Sequence, residues 1–474
     1  MKTKARIVGM GIFSGIFGGL FSKKGSRKKK RRRGAKRSGN GFRPSDGGAE
    51  GSVLVASLFG SGGKEISDYI ANMLSTEGSF QTLRLEKTLK LNLRVGLLER
   101  LLLASDEGSN WIRDEQADLM IWGEMEDMGT VARLRFLSFG ASADGQPGTF
   151  GMADTLDLPV PIPDGVGDIV RAATMAALLP VTSGSKKELA DRMSEVMVGA
   201  QKAIEDLAKS VPLDTRVTAL NVVGNAFATA VRFGNKRALK GAVKIYEAAD
   251  ALIEAKQSPL MWALIQTHLG AILEADARLR KDPLALEAAI ARYKGVTDSL
   301  GRDEHGYDWA LAHVRRAMAL YKMATMIPEK STEHLKAAAS AFEESLTVYD
   351  KAQMPLRWAE VMNHYGVVQM ALGGHGNAEA ILQQSISTFR KVLEIRRRNV
   401  TPLLWAQTSN NLGAACFALA KRTNEDYLLQ EAAACFQGAI QVFRQSRGQK
   451  KRAKVIAQNL LRVEQMLNED EDAA

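Results

Sequence analysis

Lys64 ends a glycine-rich turn, "LFGSGGK", that follows an apolar run, a setting in which a lysine can hold a nucleotide phosphate. The spacing does not allow that chemistry. The first glycine of a phosphate loop would have to fall at Leu58, and the next residue after the lysine is Glu65. A glutamate there repels phosphate and offers no hydroxyl to magnesium. The turn is therefore read as a strand-to-helix connection. Glu124, Glu126 and Asp127 cluster after a second apolar run, but residues 52–180 contain no histidine or cysteine to pair with them in acid–base work. They read as a polar turn. Cys416 and Cys435 are the only cysteines, too few for a disulfide framework, and read as small buried thiols on neighbouring helices. His268 and His364 stand 96 residues apart, which argues against a shared metal site. No Ser-His-Asp or Cys-His arrangement is readable, and the expectation is a non-enzyme without catalytic residues, metal or cofactor.

Charge is distributed unevenly. The chain holds 64 Lys+Arg against 53 Asp+Glu. Residues 1–43 carry fifteen of the basic residues and none of the acidic ones, which leaves 49 basic and 53 acidic residues elsewhere, a net of −4. The molecule thus reads as a mildly acidic body with a basic tail, and its high isoelectric point belongs to the tail.

That tail has two halves. Ile7 to Phe21 would extend about 22 Å as a helix, short of the roughly 30 Å of a bilayer core. Met10, Phe13, Ile16, Phe17, Leu20 and Phe21 would share one side of such a helix, with glycines and serines on the other. Lys28, Lys29, Lys30, Arg31, Arg32 and Arg33 follow. One apolar insertion plus a polybasic patch is the pair of signals that stable membrane anchoring needs. The same charges attract nucleic acid, although the block has no aromatic for base stacking, and a solvated arm is a third reading. Whether the segment spans a membrane or only inserts, the basic flank would keep the body on the cytoplasmic face of the inner or plasma membrane. The alternative location is the cytoplasm. Residues 1–50 are accordingly taken as anchor and flexible linker.

Behind the anchor, residues 51–181 alternate in pattern. "SVLVASLF", "FQTLRLEKTL", "ADLMIWGEM" and "TVARLRFLSF" read as strands. "KEISDYIANMLS", "LRVGLLERLLLA" and "DIVRAATMAALL" read as helices. The mixture predicts a small α/β or α+β domain, with a hairpin across "EDMGT". A linker helix is expected over 182–211.

Residues 212–449 repeat. Trp262, Trp309, Trp358 and Trp405 are spaced by 47, 49 and 47 residues. Eight residues after each stands a small residue: Gly270, Ala317, Gly366 and Gly413. An aromatic follows at Tyr293, Phe342, Phe389 and Phe436, and Pro212, Gly224 and Tyr246 mark a fainter first unit. This register predicts about five helix pairs that stack into an all-α solenoid. Residues 450–474 would be a capping helix and acidic tail.

The segment "PLLWAQTSNNLGAACFALA" resembles the first helix of a tetratricopeptide repeat, in the longer bacterial variant with Trp-Ala and Asn-Asn-Leu-Gly elements. The similarity is good over 402–440 and 355–392, fair over 259–296 and weaker over 307–345. It implies binding of a peptide or protein in a concave groove. The positions that match the family's groove are Thr267, Asn363 and Asn410, with His268, His364 and Asn411 one residue on. The expected function is a scaffold that recruits a protein partner and is tethered by anionic lipids. The alternatives are a nucleic-acid-associated adaptor, or a ligand-sensing α/β module with repeats. The oligomeric state is not readable.

Overall fold

The computed structural model describes residues 51–474 apart from 77–79, 92–96, 139–145, 152, 179–182, 208–210, 377, 447 and 474. The anchor residues Phe13 to Arg33 lie outside the described residues. The chain is largely helical, with a five-stranded mixed sheet near its N-terminal end.

Strands β1 (Ser52–Ala56), β2 (Gln81–Leu85), β3 (Leu119–Glu126), β4 (Val131–Ser138) and β5 (Leu156–Pro159) lie in the order β2-β1-β3-β4-β5. β1 runs parallel to both neighbours, while β3, β4 and β5 pair antiparallel. The expected hairpin is the β3–β4 pair, closed at Met128, which takes a left-handed φ of 53°. Its side chain is fully exposed, so nothing else strains the turn. Each face of the sheet buries alternate β1 residues. Val53 and Val55 face helices α1 (Gly63–Thr76) and α3 (Val166–Ala177), whereas Leu54 and Ala56 face α2 (Leu97–Asp114).

The apolar core on the first face continues beyond the sheet. It takes in Leu189, Met193 and Met197 of α4 (Ser183–Leu207), then α5 (Leu213–Arg232), α6 (Leu239–Asp250) and α7 (Pro259–Arg280). Sheet and first helix pairs therefore bury their apolar faces against one another. The described residues divide into two compact units, one ending at Asp308 and one beginning at Trp309. The second contains α10 (Ser331–Leu346), α11 (Pro355–Gly373), α12 (Glu379–Ile395), α13 (Pro402–Thr423), α14 (Asp426–Gln445) and α15 (Lys450–Ala473). Between α7 and α10 come α8 (Pro283–Ser299) and α9 (Arg302–Met326). From α10 onward each helix packs on the next.

Prolines open α7, α8, α11 and α13 at the first helical position, where no hydrogen bond is lost. A left-handed residue closes α7 at Lys281 and α13 at Asn424. No helix among the described residues is long and apolar enough to cross a membrane.

Candidate functional site

The repeat register has a physical counterpart at the centre of four helix pairs, those with glycine at the small position. A methyl group added at Gly224 would lie 2.5 Å from the Tyr246 ring, and at Gly270 2.5 Å from the Tyr293 ring. At Gly366 and Gly413 the distances to Phe389 and Phe436 are 2.8 and 3.0 Å. The missing Cβ lets the ring of the second helix lie on the backbone of the first. The four rings are fully buried. Tryptophan packs across the same pair: the Trp262 and Trp405 rings reach Gly295 and Gly438, where a Cβ would be 3.4 and 2.8 Å away. Trp309 is buried, while Trp262, Trp358 and Trp405 are half-buried. Lys351 lies over Trp358, and 47 residues on Arg398 lies over Trp405.

Polar residues cluster beside this glycine. In the unit that ends at Asp308, Asp154 is fully enclosed. Its Oδ1 accepts from His268 Nε2 at 2.8 Å, from Asn221 Nδ2 at 2.8 Å and from Asn225 Nδ2 at 3.2 Å. Its Oδ2 accepts the Gly151 N–H at 2.6 Å. The Tyr246 hydroxyl donates to Asn225 Oδ1 at 2.6 Å, and its ring stacks on His268 with centroids 5.7 Å apart. Burial pushes the Asp154 carboxyl up, but the His268 charge and the surrounding donors outweigh it and hold it below the usual carboxylate value. Burial, then the Asp154 charge, pushes the Tyr246 phenol well up. The half-buried Asp308 carboxyl is pushed up to about 6, chiefly by burial and with a contribution from Asp154.

In the other unit the cluster lacks a carboxylate. Asn363 Oδ1 accepts from Thr408 Oγ1 at 3.0 Å and from Asn411 Nδ2 at 3.3 Å, and Arg396 Nη1 donates to Thr408 Oγ1 at 3.0 Å. Burial holds the Arg396 guanidinium down at about 10. His364 stacks on Phe342, and burial, aided by the Arg396 and Lys322 charges, lowers its imidazole to about 4.

The groove candidates therefore divide. His268, Asn363 and Asn411 are enclosed and bonded inside the protein, so their polar groups are not presented to a peptide. Thr267, His364 and Asn410 are half-buried. The Thr267 hydroxyl donates to the Ala263 carbonyl, whereas Asn410 Oδ1 is a shielded acceptor without a hydrogen bond. Asp154, Asn221 and Asn225 were not visible from the repeat. The one signal is a pair of asparagines, Asn221 and Asn225, four apart on the buried face of α5.

Lys64 of the glycine-rich turn and Glu124 and Glu126 of the acidic cluster are paired. Lys64 pairs with Glu86, and the glycines beside it serve the backbone: Gly60 and Gly62 have φ of 107° and 77°, and a Cβ on Gly63 would meet the Leu58 carbonyl. Glu124 pairs with Arg135, and Glu126 shares Arg133 with Asp157. Burial raises the Cys416 thiol well above its usual value and the Cys435 thiol to about 11, which keeps both unreactive. Among the described residues no group of three His, Cys, Asp or Glu side chains is placed to hold a metal. No protein-family model matches the chain, and no curated protein is significantly similar to it.

Proposed function

We propose that the protein is a non-enzymatic scaffold: a tetratricopeptide-like solenoid recruits a peptide or protein partner, and the N-terminal segment tethers it to the cytoplasmic face of a membrane. The observation that carries this reading is the recurring glycine-to-ring contact at Gly224, Gly270, Gly366 and Gly413. Units that repeat one contact at a period near 47 residues stack their faces, and stacked helix pairs form extended binding surfaces. The enclosed polar clusters support the same reading, since their hydrogen bonds are made within the protein and serve its packing. Half-buried Thr267, His364 and Asn410 are the positions left for a partner.

Flotation with anionic vesicles tests the tether. Wild type floats and is released by salt. Replacing Phe13, Phe17 and Phe21 with serine abolishes flotation although the charge remains, and neutralising Lys28 to Arg33 abolishes it as well. A protein that ignores the phenylalanines but is released by nuclease is the nucleic-acid adaptor instead. For the repeats, a partner captured by wild type and lost on Asn410→Arg supports the groove; a partner that binds both equally removes it.

A further inference from the structure

In the second compact unit, matched contacts set helix starts beside helix ends. Lys351, just before α11, pairs at 2.6 Å with Glu394 at the end of α12. Arg398, 47 residues on and just before α13, donates at 2.6 Å to Gln441 near the end of α14. Arg452, in the first turn of α15, lies 5.7 Å over Phe443 near the same end. The starts of α11, α13 and α15 and the ends of α12 and α14 therefore form one edge.

That edge is apolar and basic at once. Leu356 is 64% exposed and Val400 67%, with Leu403 at 42% and Leu404 at 41%. Single exposed apolar residues need no explanation, but Leu356 and Leu403 recur at the repeat interval, each after the proline that opens its helix. Arg397, Lys450, Lys451 and Lys454 are exposed around them. No acidic residue occurs from Arg396 to Asn424 or from Ala432 to Val463. The acids that do reach the edge are matched. Glu394 holds Lys351, Glu360 holds Arg357, and Asp350 accepts the N–H groups of Ala352 and Gln353. At the opposite edge, where α13 turns into α14, the exposed Glu425 and Asp426 follow Lys421 and Arg422 and offset their charge.

We propose that this edge is a membrane contact of the folded body, lying on an anionic bilayer surface. Charge complementarity names the occupant. Cations without interleaved acids call for an anionic partner, and exposed leucines among them call for an apolar phase; an anionic bilayer supplies both. Nucleic acid supplies only the anion, and the tryptophans of this edge are already covered, Trp358 by Lys351 and Trp405 by Arg398. The inference rests on the membrane-facing reading above but needs no part of the N-terminal segment.

Flotation of the full-length protein with phosphatidylserine-containing vesicles tests the edge. Val400→Ser, Leu403→Ser and Leu404→Ser together should weaken the partition about tenfold or more, as should Lys450→Gln, Lys451→Gln and Lys454→Gln together. All six side chains are exposed, so both variants should melt as wild type does. A fluorophore on Leu404→Cys gives a second readout: brominated lipid should quench it when vesicles bind. Cys416 and Cys435 are unreactive, so the label goes to one position. Replacing Phe13, Phe17 and Phe21 with serine separates this proposal from the tether. Loss in the phenylalanine variant alone, with the label unquenched, keeps the tail and overturns the edge. Loss in the edge variants alone, with the label quenched, removes the tail and keeps the edge. A wild type that does not float overturns both. A serine variant that floats like wild type, with loss of DNA-duplex binding in the glutamine variant, makes the edge a nucleic-acid surface and overturns the proposal.

Discussion

The two compact units place polar side chains at the same register of their helix pairs and satisfy them differently. Asn221 and Asn363 each stand three residues before the central glycine; His268 and Asn411 stand two before it. In the first unit these positions converge on one carboxylate, Asp154, delivered by the loop that precedes β5. In the second they bond to one another and to Thr408, with Arg396 as the only charge in the chain of hydrogen bonds. Where a neighbouring repeat supplies the partner, neutral amides suffice. Where the repeat meets the sheet-bearing segment, an enclosed anion gathers the donors and ties the loop to two helices, α5 and α7.

That contrast sets the largest expected effect. Asp154→Ala strands three donors and the His268 imidazole in an enclosed space, and should cost the first unit about 3–5 kcal/mol. Asn363→Ala strands only neutral donors and should cost the second unit about 1–3 kcal/mol. Denaturant unfolding of both variants measures the ranking, and equal losses would erase the distinction.

Acid titration should separate the units by sign. Asp308 has a folded pKa of about 6, above its ordinary value of 3.8, so the folded state binds the extra proton and this group's stabilisation is lost as pH rises from about 4 to 6. His364 has a folded pKa of about 4, below its ordinary 6.5, so the unfolded state binds the extra proton and stability is lost as pH falls from about 6.5 to 4. Hydrogen exchange resolved by segment, in wild type, Asp308→Asn and His364→Asn, should show each variant flattening the slope of its own unit. The smallest effect belongs to Lys64→Ala. Its pair with Glu86 is exposed, so the melting temperature should be unchanged, and a clear drop would give that turn a role that its geometry does not.

Periodic features were readable from the sequence because they are local. Strand alternation, the β3–β4 hairpin and the interval from tryptophan to glycine to aromatic each reflect a few residues and their nearest helix. β5 was missed because four residues ending in proline carry no alternating signal. The Asp154 cluster was missed for a different reason: its members are 67, 71 and 114 residues apart, and only the folded chain brings them together. The resemblance makes His268 a groove candidate because the repeat pattern gives the face of a residue within its helix, whereas the loop that covers that face lies outside the repeat.

The central structural claim is that four of the helix pairs close by seating an aromatic ring on a bare glycine, and a double-mutant cycle tests it most directly. Gly270→Ala drives a Cβ to 2.5 Å from the Tyr293 ring and should cost about 1–3 kcal/mol. Tyr293→Leu opens a void and carries its own cost. If ring and glycine form one contact, the double variant should be more stable than the sum of the two losses by about 1 kcal/mol or more, because the smaller side chain makes room for the methyl group. The same cycle at Gly413 and Phe436, where the distance is 3.0 Å, should show the same sign with a smaller coupling. Strict additivity at both positions would contradict the account.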